Sequence, residues 1–190
     1  MIRTFLALDL DERFLDDVAS LADRLRGRSR LSTAAKVSWT RRETMHVTVR
    51  FFGDTDEALV PQLQHAVRAL AAGRGELRVR ARRLGAFPDP RRTRVLVLAI
   101  EEPRGVLEDV AKRAEALAVG LGFPPDEHGT YKPHLTLARL RGGEDVRELV
   151  AATPVDIEGR VLSLTLYRSD LGKGPDGRPL YTAIERAAFG

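Results

Sequence analysis

Two short stretches of the chain carry residue types suited to proton chemistry. They are His46-Val47-Thr48-Val49 and His134-Leu135-Thr136-Leu137. In an extended strand, residues i and i+2 project from one face and i+1 from the other. His46 then shares a face with Thr48, and His134 with Thr136, while Val47, Val49, Leu135 and Leu137 point into a core. Histidine titrates near neutrality, so one imidazole can accept a proton while the other donates one. Each threonine hydroxyl can donate a hydrogen bond to a phosphate oxygen. Facing each other across a cleft, the four groups meet the needs of phosphodiester cleavage. These are activation of the attacking oxygen, protonation of the leaving oxygen and stabilisation of equatorial charge. That chemistry calls for no metal and no cofactor. A lone His-x-Thr is commonplace, so the weight lies in the pair. Of the four histidines, two sit in these motifs. His65 reads as a helix residue and His128 as a loop residue ahead of the second motif.

The motifs need strands to hold them, and the pattern supplies these. Residues 2–10 read as a buried strand. Residues 12–26 read as an amphipathic helix, with Phe14, Leu15, Val18, Leu21, Ala22 and Leu25 at helical spacing. Residues 27–35 read as a loop and 36–39 as a short extended piece. A strand over 45–52 stops at the turn signal Gly53-Asp54. A helix follows over 59–72, with Pro61 in its first turn, then a strand over 77–84 that alternates apolar residues with arginine. Beyond Phe87-Pro88-Asp89-Pro90 come a strand over 94–100 and a helix over 106–121, closed by Gly122 and Pro124. Then come a strand over 133–138, a short helix over 144–152, a long strand over 157–167, a Gly- and Pro-rich loop and a last strand over 180–185. The order β-α-β-α-β is written twice, which reads as an internal repeat. Phe5 lies 41 residues before His46, and Leu96 lies 38 before His134. The expectation is one domain over 1–190, built of halves near 1–88 and 89–190.

Composition narrows the classes. A chain of 190 residues can bury a core without staples. It has no cysteine, which excludes disulfides, a thiol nucleophile and Cys-type zinc sites. There is no Gly-x-Ser-x-Gly elbow and no Walker loop. Lys plus Arg number 31 against 27 Asp plus Glu, for a net charge of +4, and 27 of the 31 are arginine. Arginine binds phosphate bidentately, which fits an anionic partner such as nucleic acid. The N-terminus has no signal-peptide pattern, and no apolar run approaches the roughly 20 residues that span a membrane. A cytoplasmic location is expected.

The paired motifs resemble those of the 2H phosphoesterases. More closely, the chain resembles the RNA 2′,3′-cyclic phosphodiesterases, also called 2′-5′ RNA ligases. The resemblance runs through Arg3-Thr4-Phe5-Leu6-Ala7-Leu8, Trp39, His46 to Gly53, Gly85-Ala86-Phe87-Pro88, Pro133 to Arg139, Ser169, and Gly174 to Tyr181. It implies an α/β (α+β) bilobal fold, with two pseudo-symmetric βαβαβ lobes whose antiparallel sheets line a central cleft. It implies hydrolysis of RNA 2′,3′-cyclic phosphate ends, tRNA fragments included, to a 2′-phosphate, without metal or cofactor. Nothing points to an obligate protein partner. By the same resemblance His46 is the proton donor and His134 the proton acceptor, Thr48 and Thr136 grip non-bridging oxygens, and Arg139 neutralises the phosphate. Strict alternation turns Arg139 away from His134, so it needs a bulge to reach the site. Arg50 shares the His46 face by alternation and is a second phosphate candidate. The family often carries tryptophan in the strand after the mid-chain loop, where this chain has Val97 nearby, and Trp39 reads either as a base-stacking residue or as packing near the edge of a sheet. The alternatives are 2′-5′ ligation of tRNA halves and a non-catalytic RNA-end binder.

Overall fold

A computed structural model of the chain describes residues 1–28, 37–127 and 129–189. The elements run β1 (Ile2–Leu10), α1 (Glu12–Arg28), β2 (Val37–Trp39), β3 (Val47–Thr55), α2 (Val60–Ala71), β4 (Leu77–Phe87), β5 (Thr93–Glu101), α3 (Val106–Gly120), β6 (His134–Glu144), α4 (Arg147–Ala152), β7 (Ile157–Asp170) and β8 (Leu180–Ala188). The α/β class and the antiparallel pairing agree with expectation. The first helix runs two residues into the expected 27–35 loop, the rest of which lies outside the described residues.

The strands form two four-stranded groups, β8-β7-β1-β3 and β4-β5-β6-β2, joined into one sheet at two seams. One seam pairs residues 77–81 of β4 with 157–161 of β7. The other is a single pair, Val47 of β3 against Leu135 of β6. The grouping crosses the sequence halves. A short turn joins β4 to β5, and strands joined by short turns pair with each other. β4 therefore lies in the group of the second motif, and β7 takes the matching place beside β1.

The helices cover the face away from the cleft. Leu6, Leu8 and Leu10 of β1 meet the apolar stripes of the helices there, among them Phe14, Val18 and Leu21 of α1, Leu63 and Val67 of α2, and Val110 and Ala114 of α3. Asp11 fixes where the first helix starts. Its carboxylate accepts the Phe14 N–H at 3.0 Å, a cap worth about 1 kcal/mol. Phe14 packs so closely on β7 that a Cβ at Gly159 would lie 2.5 Å from its ring. Among the described residues no helix is long and apolar enough to cross a membrane.

Candidate active site

The seam between β3 and β6 builds the site. Val47 and Leu135 sit opposite each other with their side chains in the core. Extending that register by one residue sets His46 across from Thr136 and Thr48 across from His134. All four side chains then share the cleft face. The shared face within each motif follows from the i, i+2 spacing; the seam adds the facing of one motif against the other.

Both imidazoles are oriented in the same way. The His46 Nδ1–H donates to the Thr44 carbonyl at 2.8 Å, and the His134 Nδ1–H donates to the Lys132 carbonyl at 2.8 Å. A carbonyl only accepts, so Nδ1 carries the hydrogen in both rings and each neutral ring offers its lone pair at Nε2. Neither Thr48 nor Thr136 uses its hydroxyl on a partner among the described residues, so both remain available. The Thr48 carbonyl accepts from the Tyr131 hydroxyl at 3.0 Å, which ties β3 to the segment leading into β6.

The repeat extends to backbone irregularities. Ala7 pairs with Thr48 but Leu6 with Arg50, leaving Val49 as an extra residue in β3. Val97 pairs with Thr136 but Leu96 with Ala138, leaving Leu137 as the extra residue in β6. A bulge resets the alternation, so the residue two beyond it returns to the original face. Those residues are Phe51 and Arg139, each five positions after its histidine. The bulge that Arg139 needed is present. Its charge bears on both His46 and Tyr181, and it forms no ion pair among the described residues. The registers also match Leu6 with Leu96, one position from the Phe5–Leu96 match that spacing alone gave.

The same bulge overturns the expectation for Arg50. Its side chain leaves the cleft and is buried at 8% exposure, with Nε 2.5 Å from Glu115 of α3, off the hydrogen-bonding line. Its other nitrogens donate to the Phe51 carbonyl and, at 2.5 Å, to the Pro124 carbonyl. Arg50 ties β3 to α3 and to the Pro124 carbonyl, away from the face that carries His46. Trp39 is likewise taken up in packing. It pairs with Ala138 on the core face at 8% exposure, so it presents no ring for a base. Val97 is buried on the cleft floor against Gly85, where a Cβ would meet it at 3.0 Å. His65 is exposed on α2, and His128 lies outside the described residues. Gly172, Gly174 and Gly177 spell Gly-x-Gly-x-x-Gly, but they form the turn from β7 into β8, with no helix behind them to bind a pyrophosphate.

Several cleft residues escaped the sequence reading. The Phe5 ring centroid lies 5.0 Å from His46, 5.3 Å from Tyr167, 5.0 Å from Tyr181 and 5.7 Å from Phe51. Phe87 lies 5.1 Å from His134, in the place in its group that Tyr167 holds in the other. Asp9 anchors the floor. Its carboxylate accepts from Tyr167 at 2.6 Å, Ser163 at 2.7 Å and Thr165 at 2.6 Å, and pairs with Arg186 at 3.2 Å. Burial, with the hydrogen bond to Asp9, pushes the Tyr167 hydroxyl up to about 12, so it stays a donor. The signal lay in the alternation of Phe5, Ala7 and Asp9 against Ser163, Thr165 and Tyr167 on paired strands.

Burial among these rings lowers the His46 pKa below the ordinary histidine value, and the charges of Arg139 and His134 lower it further. The Thr44 carbonyl and the Asp9 carboxylate oppose the shift. His46 is thus a stronger acid than a free imidazole, and its proton is best held when an anion is close.

A family model described as the 2′-5′ RNA ligase superfamily matches residues 14–173. The RNA 2′,3′-cyclic phosphodiesterase of Methanothermobacter thermautotrophicus is 33% identical over 190 residues, covering 97% of each chain. That of Aquifex aeolicus is 26% identical over 177 residues, covering 91% of this chain and 92% of its own. Among solved structures, TT0787 of Thermus thermophilus aligns with a TM-score of 0.76 at 25% identity, covering 99% of this chain and 98% of that one. E. coli LigT complexed with 3′-AMP shares the fold, with a TM-score of 0.74 at 20% identity and the same coverage. With a family model covering most of its length and a relative matching it from end to end, the chain belongs to the 2′-5′ RNA ligase superfamily.

Proposed function

We propose that this protein hydrolyses 2′,3′-cyclic phosphate ends of RNA to 2′-phosphates, with no metal ion in the step. The observation that carries the reading is the pair of imidazoles hydrogen-bonded alike, on two motifs joined at the Val47–Leu135 pair. His134 Nε2 takes a proton from water as the water oxygen bonds to phosphorus. The bond from phosphorus to the 3′ oxygen breaks, and His46 Nε2–H delivers a proton to that oxygen. The products are a 3′-hydroxyl and a 2′-phosphate. His134 ends protonated and His46 neutral, and exchange with solvent resets the pair. Thr48, Thr136 and Arg139 hold the non-bridging oxygens. The phosphate's negative charge offsets the burial that depletes His46 of its proton in the free protein. The names of the relatives, RNA 2′,3′-cyclic phosphodiesterases, support the substrate class.

The roles are tested by His46→Ala and His134→Ala. Each is expected to lower kcat by about 10²- to 10⁴-fold on an RNA 2′,3′-cyclic phosphate, with an unchanged circular-dichroism spectrum. Full activity in either variant contradicts the assignment. Ligation of 2′-5′ ends is the same displacement with a 5′-hydroxyl in place of water as the attacking group, and in water hydrolysis dominates.

A further inference from the structure

Beyond the cleft the surface carries a second concavity, of about 490 Å³, lined by Pro88, Arg92, Arg94, Arg141, Gly142 and Gly143. It adjoins the catalytic face on two strands. Pro88 follows Phe87, whose ring contacts His134, and Arg141 lies two residues past Arg139 on β6, about 7 Å along an extended chain. Some arginines elsewhere are tied to acids, as Arg74 is to Asp109 and Arg147 to Asp145. Arg92, Arg94 and Arg141 are exposed and form no ion pair among the described residues. Two of the nearby acids, Asp89 and Asp145, have partners of their own. The Asp89 carboxylate accepts the Arg91 N–H at 2.7 Å, and Asp145 is held by Arg147. Gly142 and Gly143 keep side chains off one wall, so a bulky group can reach the backbone. Three arginines line a hollow whose lining holds no carboxylate, an arrangement suited to an anion, and bidentate donors favour phosphate.

We propose that this pocket binds a backbone phosphodiester of the RNA strand upstream of the cyclic phosphate. The proposal rests on the hydrolytic reading above, because the strand must run from the cleft toward the end of β6. The pocket makes the enzyme prefer oligonucleotide ends to single nucleotides, which have no upstream phosphate to place there.

The test is the combined variant Arg92→Gln, Arg94→Gln and Arg141→Gln, compared with the unaltered protein on two substrates. One is a short oligoribonucleotide with a 2′,3′-cyclic phosphate end. The other is a mononucleotide 2′,3′-cyclic phosphate. The expected result is a loss of about tenfold or more in kcat/KM on the oligonucleotide, with the mononucleotide changed less than about twofold. The salt dependence of oligonucleotide KM should flatten, by about 0.7 in log-log slope for each phosphate no longer neutralised. Equal losses on both substrates, or none on the oligonucleotide, overturn the proposal. If the unaltered protein turns over neither substrate, the hydrolytic reading fails instead. Fluorescence anisotropy with a 3′-hydroxyl oligoribonucleotide still reads the pocket in that case. Weaker binding by the variant supports the site, and equal binding overturns it.

Discussion

Two arginines that look alike in sequence are turned to opposite faces, and the difference is one extra residue in a strand. Arg50 and Arg139 each follow a His-x-Thr motif, but Arg50 is four positions after its histidine and Arg139 five. Beyond the bulge, the fourth position faces the helices and the fifth faces the cleft. Arg50→Met should therefore lower the urea unfolding free energy by about 1–3 kcal/mol, since Glu115 keeps some access to water, and leave kcat per folded molecule within about twofold. Arg139→Gln should show the reverse, a loss of about tenfold to a thousandfold in kcat/KM with stability changed by less than about 0.5 kcal/mol. The four motif residues were legible in the sequence because period-2 alternation holds over three residues. The fate of Arg50 was not, because a bulge leaves no clear mark in side-chain type. Trp39 shows the same limit, since an apolar residue on a short edge strand reads equally well as core or as platform.

At the scale of elements, α1 packs closely on β7. Phe14 fills the space over Gly159, and Asp11, which caps the helix at Phe14, also accepts the Arg160 N–H. Gly159→Ala forces Phe14 or the strand to move, so it should cost about 1–3 kcal/mol of stability. The same substitution at exposed Gly27, where a Cβ meets nothing, should be stabilising or nearly neutral. Paired chemical-denaturation curves check this, and equal costs at the two sites would count against the packing argument. Helices and strands were legible because their apolar periods of 3.6 and 2 are clean, as in α1 and β4. The exchange of β4 and β7 between groups was not. Periodicity records which face of a strand is buried but not which strand lies beside it. Only the short turn between β4 and β5 hinted at that neighbour.

For the molecule as a whole, the half-buried His46 couples the site to stability. The His46 pKa in the folded chain lies below its ordinary 6.5. The unfolded chain therefore binds this proton at a pH where the folded chain does not. The stability contributed by neutral, half-buried His46 is complete above about pH 6.5 and is lost as pH falls through that value toward the folded pKa. The unaltered protein should thus lose more stability than His46→Gln between about pH 7 and about pH 5. Urea midpoints at both pH values measure this, and identical slopes would contradict the burial of a titrating ring. The most direct measurement is to incubate the protein, in excess chelator, with an oligoribonucleotide ending in a 2′,3′-cyclic phosphate and to identify the product by mass and by phosphatase and nuclease mapping. The account predicts complete conversion to the 2′-phosphate; a 3′-phosphate product, or activity that vanishes with the chelator and returns with a divalent metal, would contradict it.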